Sequence, residues 1–343
     1  MESGRSRGGD EARHDQEGRR PMQWRDRVYG PLHLDDPDLL ALIATPTFQR
    51  LRGIKQAGPS AISFPFKNVT RFEHSLGVFA LLRDLGADRR EQVAGLLHDV
   101  SHTAFSHAVD FVVASTAEQD HHETLKPRFL HRPDVAAALD RLGFAPEDFY
   151  DDSRYPLLER PLPWLCADRL DYFLRDGMAC QVVRRDDARR ILGAVTVIDS
   201  TIVLDDPAAA RLAVRLFEVM NRDWWASDVE AYIYNEFAVA LRAAIAAGAL
   251  AEDDLFSGED DAVLAKLDAA GLPEVDAVLS RIRRFDPAYL EGYVPRIAAK
   301  QRRIDPPVAV DSWFLPLSVL PDEREIDDVL KNDKSRTLAD GLG

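Results

Sequence analysis

Cysteine is scarce in this chain: Cys166 and Cys180 are the two among 343 residues. That excludes a disulfide scaffold and a thiolate zinc site, and it fits a reducing, cytoplasmic setting. Both read as small buried apolar side chains. Long apolar runs are also missing. Nothing approaches the ~18 residues of a membrane span, and the polar, Arg-rich N-terminus lacks the apolar segment of a secretory signal. Positive charge is in deficit, with 43 Lys and Arg against 58 Asp and Glu and a formal net charge of −15. A field of that sign does not hold nucleic acid or an anionic membrane. A phosphate-bearing ligand therefore needs a local source of positive charge. There is no internal repeat and no long Gly/Ser linker.

What is present is a chain with 46% hydrophobic residues, enough to bury a large core. Seven of its nine histidines fall between His74 and His131. Residues 1–22 carry no apolar period and read as a disordered tail. Met22–Leu34 reads as a strand or hairpin turning at Gly30-Pro31. Two proline-first helices follow within Pro37–Ile54, with Asp36 and Thr45 as caps. Ala57–Val69 reads as a loop. Helical periods then recur over Phe72–Gly86, Glu91–Val100, His107–Thr116, His121–Leu130, Val135–Leu142 and Leu162–Arg175. A hairpin is expected over Val195–Leu204, and helices over Pro207–Asn221, Val229–Ala247, Ala262–Leu267 and Val275–Phe285. Ile304–Leu320 reads as a strand, and the segment from Asp322 as a polar tail. The fold class is mainly α, a helical bundle with a small β-hairpin and minor strands.

The helical spacing gathers polar groups at particular helix faces. Arg71, His74, Val78, Leu81, Leu82 and Leu85 share one face. Val93, Ala94 and Leu97 build a second, which ends in His98-Asp99. Leu165, Asp168, Tyr172 and Asp176 share a third. Two imidazoles and two carboxylates suit a divalent cation such as Mn, Fe, Zn, Co, Ni or Mg. A buried, hydrogen-bonded histidine with no metal is the competing reading. His102, His107, Asp110, His121, His122 and Glu123 lie between these helices. A histidine oriented by a carboxylate acts as a general acid or base near neutral pH. His122-Glu123 and His102 with Asp110 are two such pairings, whereas His121 and His131 read as surface residues.

Four ordered motifs carry a resemblance: Thr45-Pro-Thr-Phe-Gln-Arg-Leu-Arg-Gly-Ile-Lys-Gln-Ala-Gly58, Arg71-Phe-Glu-His-Ser-Leu-Gly-Val78, Leu97-His-Asp-Val-Ser-His-Thr-Ala-Phe-Ser-His107 and Ala167-Asp-Arg-Leu-Asp-Tyr-Phe-Leu-Arg-Asp176. Together they resemble the HD-domain phosphohydrolase superfamily, in the branch of deoxynucleoside triphosphate triphosphohydrolases and their SAM-and-HD-domain relatives. The resemblance implies an HD helical bundle holding one divalent metal ion on His74, His98, Asp99 and Asp168. It assigns His102, Asp110, His122 and Glu123 to a catalytic relay, with His122 donating a proton to the leaving oxygen. It assigns Gln56, Arg71, His107, Arg169, Tyr172 and Asp176 to substrate binding. Water would attack the α-phosphorus of a nucleotide, releasing nucleoside and triphosphate. The implied partner is a small nucleotide or phosphoester, and the implied assembly a homo-oligomer. The implied division is an HD core over 23–200, a helical extension over 201–321 and a tail over 322–343.

Three departures from the family pattern bear on the substrate. Ser101 replaces a glycine, which tests whether the backbone there needs a glycine conformation. The segment Arg222–Glu236 keeps Arg222, Tyr232 and Tyr234 but is acidic where the branch grips a triphosphate with basic residues. Trp224 and Trp225 stand there instead, either as core or as a base-stacking platform. A phosphohydrolase of nucleoside mono-, di- or cyclic phosphates is therefore the alternative, and a nucleotide-binding regulator with a vestigial site is a second. Arg184, Arg185, Arg189 and Arg190 read as a solvated helix face.

Overall fold

The computed structural model describes residues 21–113, 121–297, 300–310 and 313–321, with the backbone alone at residues 113 and 121–123. Of the expected tails, 1–22 and 322–343, residues 1–20 and 322–343 lie outside the described residues, while Met22 already belongs to the first strand. β1 (Met22–Asp26) and β2 (Gly30–Leu34) form the expected hairpin, with Asp26 opposite Gly30. The chain reverses over Arg27–Tyr29, ahead of Gly30-Pro31. Asp26 Oδ1 makes that turn by accepting the amides of Val28 (2.7 Å) and Tyr29 (3.0 Å), as a short carboxylate can.

α1 (Pro37–Ile43) and α2 (Pro46–Gln49) start under Asp36 and Thr45, whose side chains accept first-turn amides. α3 (Ser60–Ser63) is one turn inside the segment expected as loop. α4 (Arg71–Asp84) begins in a capping box made by Thr70 and Glu73, which fixes its first turn. α5 (Arg89–Leu97) starts under Asp88. Then come α6 (Asp110–Val113), α7 (His121–Leu130), α8 (Pro133–Arg141) and α9 (Ala167–Ala179). α9 begins at Ala167 rather than at Leu162. A residue before proline is driven out of the helical region, and Leu162 precedes Pro163; the Trp164 amide instead closes a turn onto Pro161 O.

α10 (Arg185–Gly193) presents its arginines to solvent. Arg189 pairs with Asp186 and Arg190 with Asp206, so this run is a solvated face. β3 (Val195–Ile198) and β4 (Thr201–Leu204) are the expected hairpin. α11 (Pro207–Met220) runs into a π-type turn over Asn221–Trp225, followed by α12 (Asp228–Ala246), α13 (Glu252–Ser257), α14 (Asp260–Ala269) and α15 (Pro273–Arg283). Ile304–Leu320 is two strands, not one: β5 (Pro307–Val310) pairs antiparallel with β6 (Trp313–Pro316). β5 also joins β4 in parallel, at Leu204 opposite Val308, so the order is β3-β4-β5-β6.

Two buried apolar clusters organise the chain. One gathers α4, α5, α8, α9, α11 and parts of β4 and β5; the other gathers α12, α14, α15 and the loop at Ala104–Phe105. The cavity described below is lined from both sides. Among the described residues no helix is long and apolar enough to cross a membrane.

Candidate metal centre

Three helices meet at one cluster of side chains. His74, one turn into α4 from Arg71, is 1% exposed. Its Nε2 lies 2.8 Å from Asp168 Oδ1, and its Nδ1 lies 2.7 Å from Asp171 Oδ2. His98 caps the C-terminus of α5, where its Nδ1 faces Gly95 O at 2.8 Å. A carbonyl only accepts, so this nitrogen donates and the Nε2 lone pair is left for the cluster. The two Nε2 atoms stand 3.1 Å apart. Asp168 Oδ1 is 3.5 Å from His98 Nε2, and Asp99 brings Oδ1 to 3.6 Å from His98 and Oδ2 to 3.8 Å from His74. Ligand-capable atoms of His74, His98 and Asp99 all fall within 4.8 Å of one another. Imidazole nitrogens and carboxylate oxygens in that arrangement are a donor set for a divalent cation, and each imidazole has its second nitrogen oriented by an acceptor.

The electrostatics follow from burial and pairing. Burial works against the His74 imidazolium, but hydrogen bonds to Asp168 and Asp171 and the charge of Asp99 raise its pKa to about 10. Burial also opposes ionisation of Asp99, yet Arg71 and His98 hold it well below the usual carboxylate range. Asp168 is held low against burial by His74 and His98. His102 is pushed down to about 3, first by burial and then by Arg71, although its Nε2 is 3.1 Å from Asp99 Oδ1.

Behind these groups lies a network the sequence reading missed. Arg175 is fully buried and makes 2.8 Å bonds to both oxygens of Asp171, while its third nitrogen reaches Asp26 Oδ2 at 2.9 Å. Buried ion pairs contribute little net stability but fix geometry when every partner is satisfied. Here they fix Asp171 and so the ring of His74. A Cβ on Gly77 would come within 2.0 Å of Arg175 and 2.2 Å of Asp171, so glycine is what lets α4 approach the network. The available signal was the i, i+4 spacing of Asp171 and Arg175 on one helix.

Above the cluster opens a cavity of about 940 Å³. Gln56, Arg71, His102, His107, Arg169, Tyr172 and Asp176 all line it, together with the four metal-capable residues. Asp110 is buried beneath it, and His107 Nδ1 lies 3.1 Å from Asp110 Oδ2. The contacts described for these side chains thus put Asp110 on His107 and Asp99 on His102. The side chains of His122 and Glu123 lie outside the described residues. Arg169 faces mostly inward: NH1 donates to the carbonyls of Arg160 (2.9 Å) and Trp164 (2.6 Å), and NH2 pairs with Glu159 at 3.3 Å. Asp176 Oδ2 accepts from Gln56 Nε2 at 3.3 Å and from Trp225 Nε1 at 3.1 Å.

The far wall carries the departures noted in the sequence. Trp225 packs edge-on against Tyr172 and Phe217, with ring centroids at 5.3 and 5.2 Å; Trp224 packs on Phe66 at 5.8 Å. Both also line the cavity, so they are at once core and wall, placed there by the π-type turn. Tyr234 lines the cavity, but Arg222 and Tyr232 are not among its lining residues. Arg222 is exposed and paired with Asp223 at 2.6 Å. Lys67, which the sequence reading did not single out, pairs with Glu230 at 2.7 Å on this wall. Ser101 is not among the residues of positive φ and is fully buried, so serine meets no backbone penalty there.

A helical bundle in which histidine and aspartate side chains of three helices meet at the foot of a cavity is an arrangement suited to a metal-dependent hydrolase. A family model described as "HD domain" matches residues 71–152. The chain is 32% identical over 290 residues to metal-dependent phosphohydrolase cns2 of Cordyceps militaris, covering 83% of this chain and 84% of that protein. It is 37% identical over 300 residues to the uncharacterised protein YdhJ of Bacillus subtilis, covering 87% of this chain and 91% of that protein. Deoxynucleoside triphosphate triphosphohydrolase SAMHD1 of Danio rerio is 31% identical over 224 residues, which are 50% of this chain and 36% of that protein. This chain belongs to the HD-domain metal-dependent phosphohydrolases.

Proposed function

We propose that the chain hydrolyses a phosphoester bond of a nucleotide, with one divalent cation held by His74, His98, Asp99 and Asp168. The observation that carries this is the meeting of those four side chains and Arg71 at the foot of a cavity of about 940 Å³, a size that takes a small organic ligand. When bound, the cation would polarise a phosphoryl oxygen and lower the pKa of a water. Arg71 supplies positive charge to the phosphoryl group. It is fixed by Asp99 Oδ2 at 2.9 Å and by Ser106 Oγ at 3.1 Å, so its contact with the substrate is prepaid in geometry. His107, oriented by Asp110, and His102, held neutral by its pKa of about 3, border the same space. In this reading His122 and Glu123 deliver the proton to the leaving oxygen. Gln56, Tyr172 and Asp176 hold the sugar, with Trp225 behind them.

The SAMHD1 relatives make a deoxynucleoside triphosphate the first substrate to try. The alternative, a mono-, di- or cyclic phosphate, draws on a specific observation. Most lysines and arginines of the cavity wall are already paired, Lys67 with Glu230 (2.7 Å), Arg169 with Glu159 (3.3 Å) and Lys126 with Asp152, while Lys300 and Arg302 line it with no ion pair among the described residues. With Arg71 and two wall cations left for an anion, the site suits a small phosphoester better than an extended polyphosphate. The test is a panel of nucleoside mono-, di-, tri- and cyclic phosphates with Mn²⁺, resolving phosphate from triphosphate. Free triphosphate from a deoxynucleoside triphosphate supports the first substrate; phosphate from a mono- or diphosphate, or a nucleoside monophosphate from a cyclic phosphate, supports the second. Metal-loaded protein that binds nucleotides but turns none over would leave the regulator reading in place of both.

A further inference from the structure

The extension that follows α12 reaches back to the metal centre through one carboxylate. Asp260 opens α14 and is 4% exposed. Its Oδ2 accepts the amide of Lys55 at 2.8 Å, and its Oδ1 accepts the amide of Phe105 at 2.6 Å. Those amides belong to two separate loops of the site: Lys55 precedes Gln56, and Phe105 stands between His102 and His107. The loops are joined again by Ser106, whose Oγ donates to Lys55 O at 2.7 Å and accepts from Arg71 Nε at 3.1 Å.

Phe105 and Ser106 both have positive φ, 58° and 53°. Neither is glycine, so each pays for a left-handed backbone and persists only where its surroundings enforce it. The enforcing contacts come from the extension. Besides Asp260, Leu255 O accepts the Ala104 amide at 2.9 Å. Gly258 O accepts from Arg50 NH1 at 3.1 Å, while Arg50 NH2 donates to the carbonyls of Val100 and His102 at 2.9 and 2.8 Å. The Phe105 ring packs 4.5 Å from Phe237 of α12.

We propose that Asp260 is a positioning residue for Arg71: from the C-terminal helices it pins the strained Phe105–Ser106 corner whose serine hydroxyl aims the guanidinium at the phosphoryl site. The proposal rests on the phosphohydrolase reading for what Arg71 holds, but not for the clamp itself. Its acceptor pair is specific. Asn in place of Asp keeps the shape but offers one oxygen and one amide group to two N–H donors. Ser106→Ala removes the other end of the same chain of contacts.

The test uses the full chain loaded with Mn²⁺ at pH 8, where Asp260 is the carboxylate its two amide contacts call for, titrated calorimetrically with inorganic phosphate. Asp260→Asn and Ser106→Ala should each weaken phosphate binding about tenfold, the loss expected for one hydrogen bond to a charged group. The double variant should bind about as weakly as either single, since both act through Arg71. Metal content should stay at the wild-type level in all three, and Asp261→Asn, on the exposed neighbour, should change nothing. Losses that multiply in the double variant, or singles that bind normally, overturn the proposal. Hydrogen exchange supplies a readout independent of any ligand. The Lys55 and Phe105 amides should exchange faster in Asp260→Asn, and unchanged rates overturn the clamp. Wild-type protein that takes up Mn²⁺ but no phosphate would count against the phosphohydrolase reading, while exchange still decides the clamp.

Discussion

The floor and the far wall of the cavity are built from different material. On the floor, His74, His98, Asp99 and Asp168 are buried or nearly so, and three of them are oriented by a further polar group: His74 by Asp171, His98 by Gly95 O and Asp99 by Arg71. On the wall, Trp224 packs on Phe66, Trp225 packs on Tyr172 and Phe217, the Tyr234 hydroxyl donates to Ala57 O, and Lys67 pairs with Glu230. The floor is a buried, hydrogen-bonded arrangement to which the proposed function gives the chemistry. The wall is an aromatic and ion-paired surface to which the same proposal gives the choice of substrate. The floor resembles the triphosphohydrolase pattern closely, and the wall departs from it.

Substitutions should separate the two regions, with effects falling from floor to wall. Asp168→Ala should remove the bound cation and lower turnover by on the order of a thousandfold or more, read by metal analysis and initial rates. His122→Ala should keep the cation and lower kcat by about a hundredfold to ten-thousandfold; unimpaired kcat would take it out of the mechanism. Gly77→Ala should destabilise the fold by about 2–3 kcal/mol, because the new methyl meets the buried Asp171–Arg175 pair, and chemical denaturation measures it. Trp225→Phe removes the N–H that Asp176 accepts; it should raise KM several-fold, in the range of about 1 kcal/mol, with kcat almost unchanged. A loss of kcat equal to that in Asp168→Ala would erase the distinction between floor and wall.

The smallest expected effect concerns pH. Burial lifts the Asp260 carboxyl from 3.8 to about 7, against the lowering pull of the Lys55 and Phe105 amides. The folded chain therefore retains a proton that the unfolded chain releases once pH exceeds about 4. The sign follows from linkage: this group's contribution to stability declines as pH rises from about 4 to about 7 and levels off above. Wild-type protein should lose on the order of 1 kcal/mol relative to Asp260→Asn between pH 6 and pH 7. Parallel denaturation curves for the two proteins at both pH values would refute that assignment.

Helical spacing puts Arg71 beside His74 and Asp168 beside Tyr172, but the joining of His74, His98, Asp99 and Asp168 into one floor was legible only through the four motifs and the family they resemble. Caps such as Asp36 and Thr45 are local and equally readable, whereas the Thr70–Glu73 capping box went unread. What else escaped is non-local. Arg175 meets Asp26 across 149 positions and Lys67 meets Glu230 across 163, and no period encodes such pairings. The β4–β5 pairing brings Leu204 to Val308, so one expected strand becomes two and a hairpin becomes a four-stranded sheet. Asp260 was invisible for the same reason, being one acid in a polar stretch until the fold brings two backbone amides to it.

Bound-metal stoichiometry tests the account most directly. One divalent cation per chain is predicted for wild-type protein and for Trp225→Phe, and close to none for Asp168→Ala. An unchanged metal content in Asp168→Ala would contradict the assignment of the floor as the metal centre.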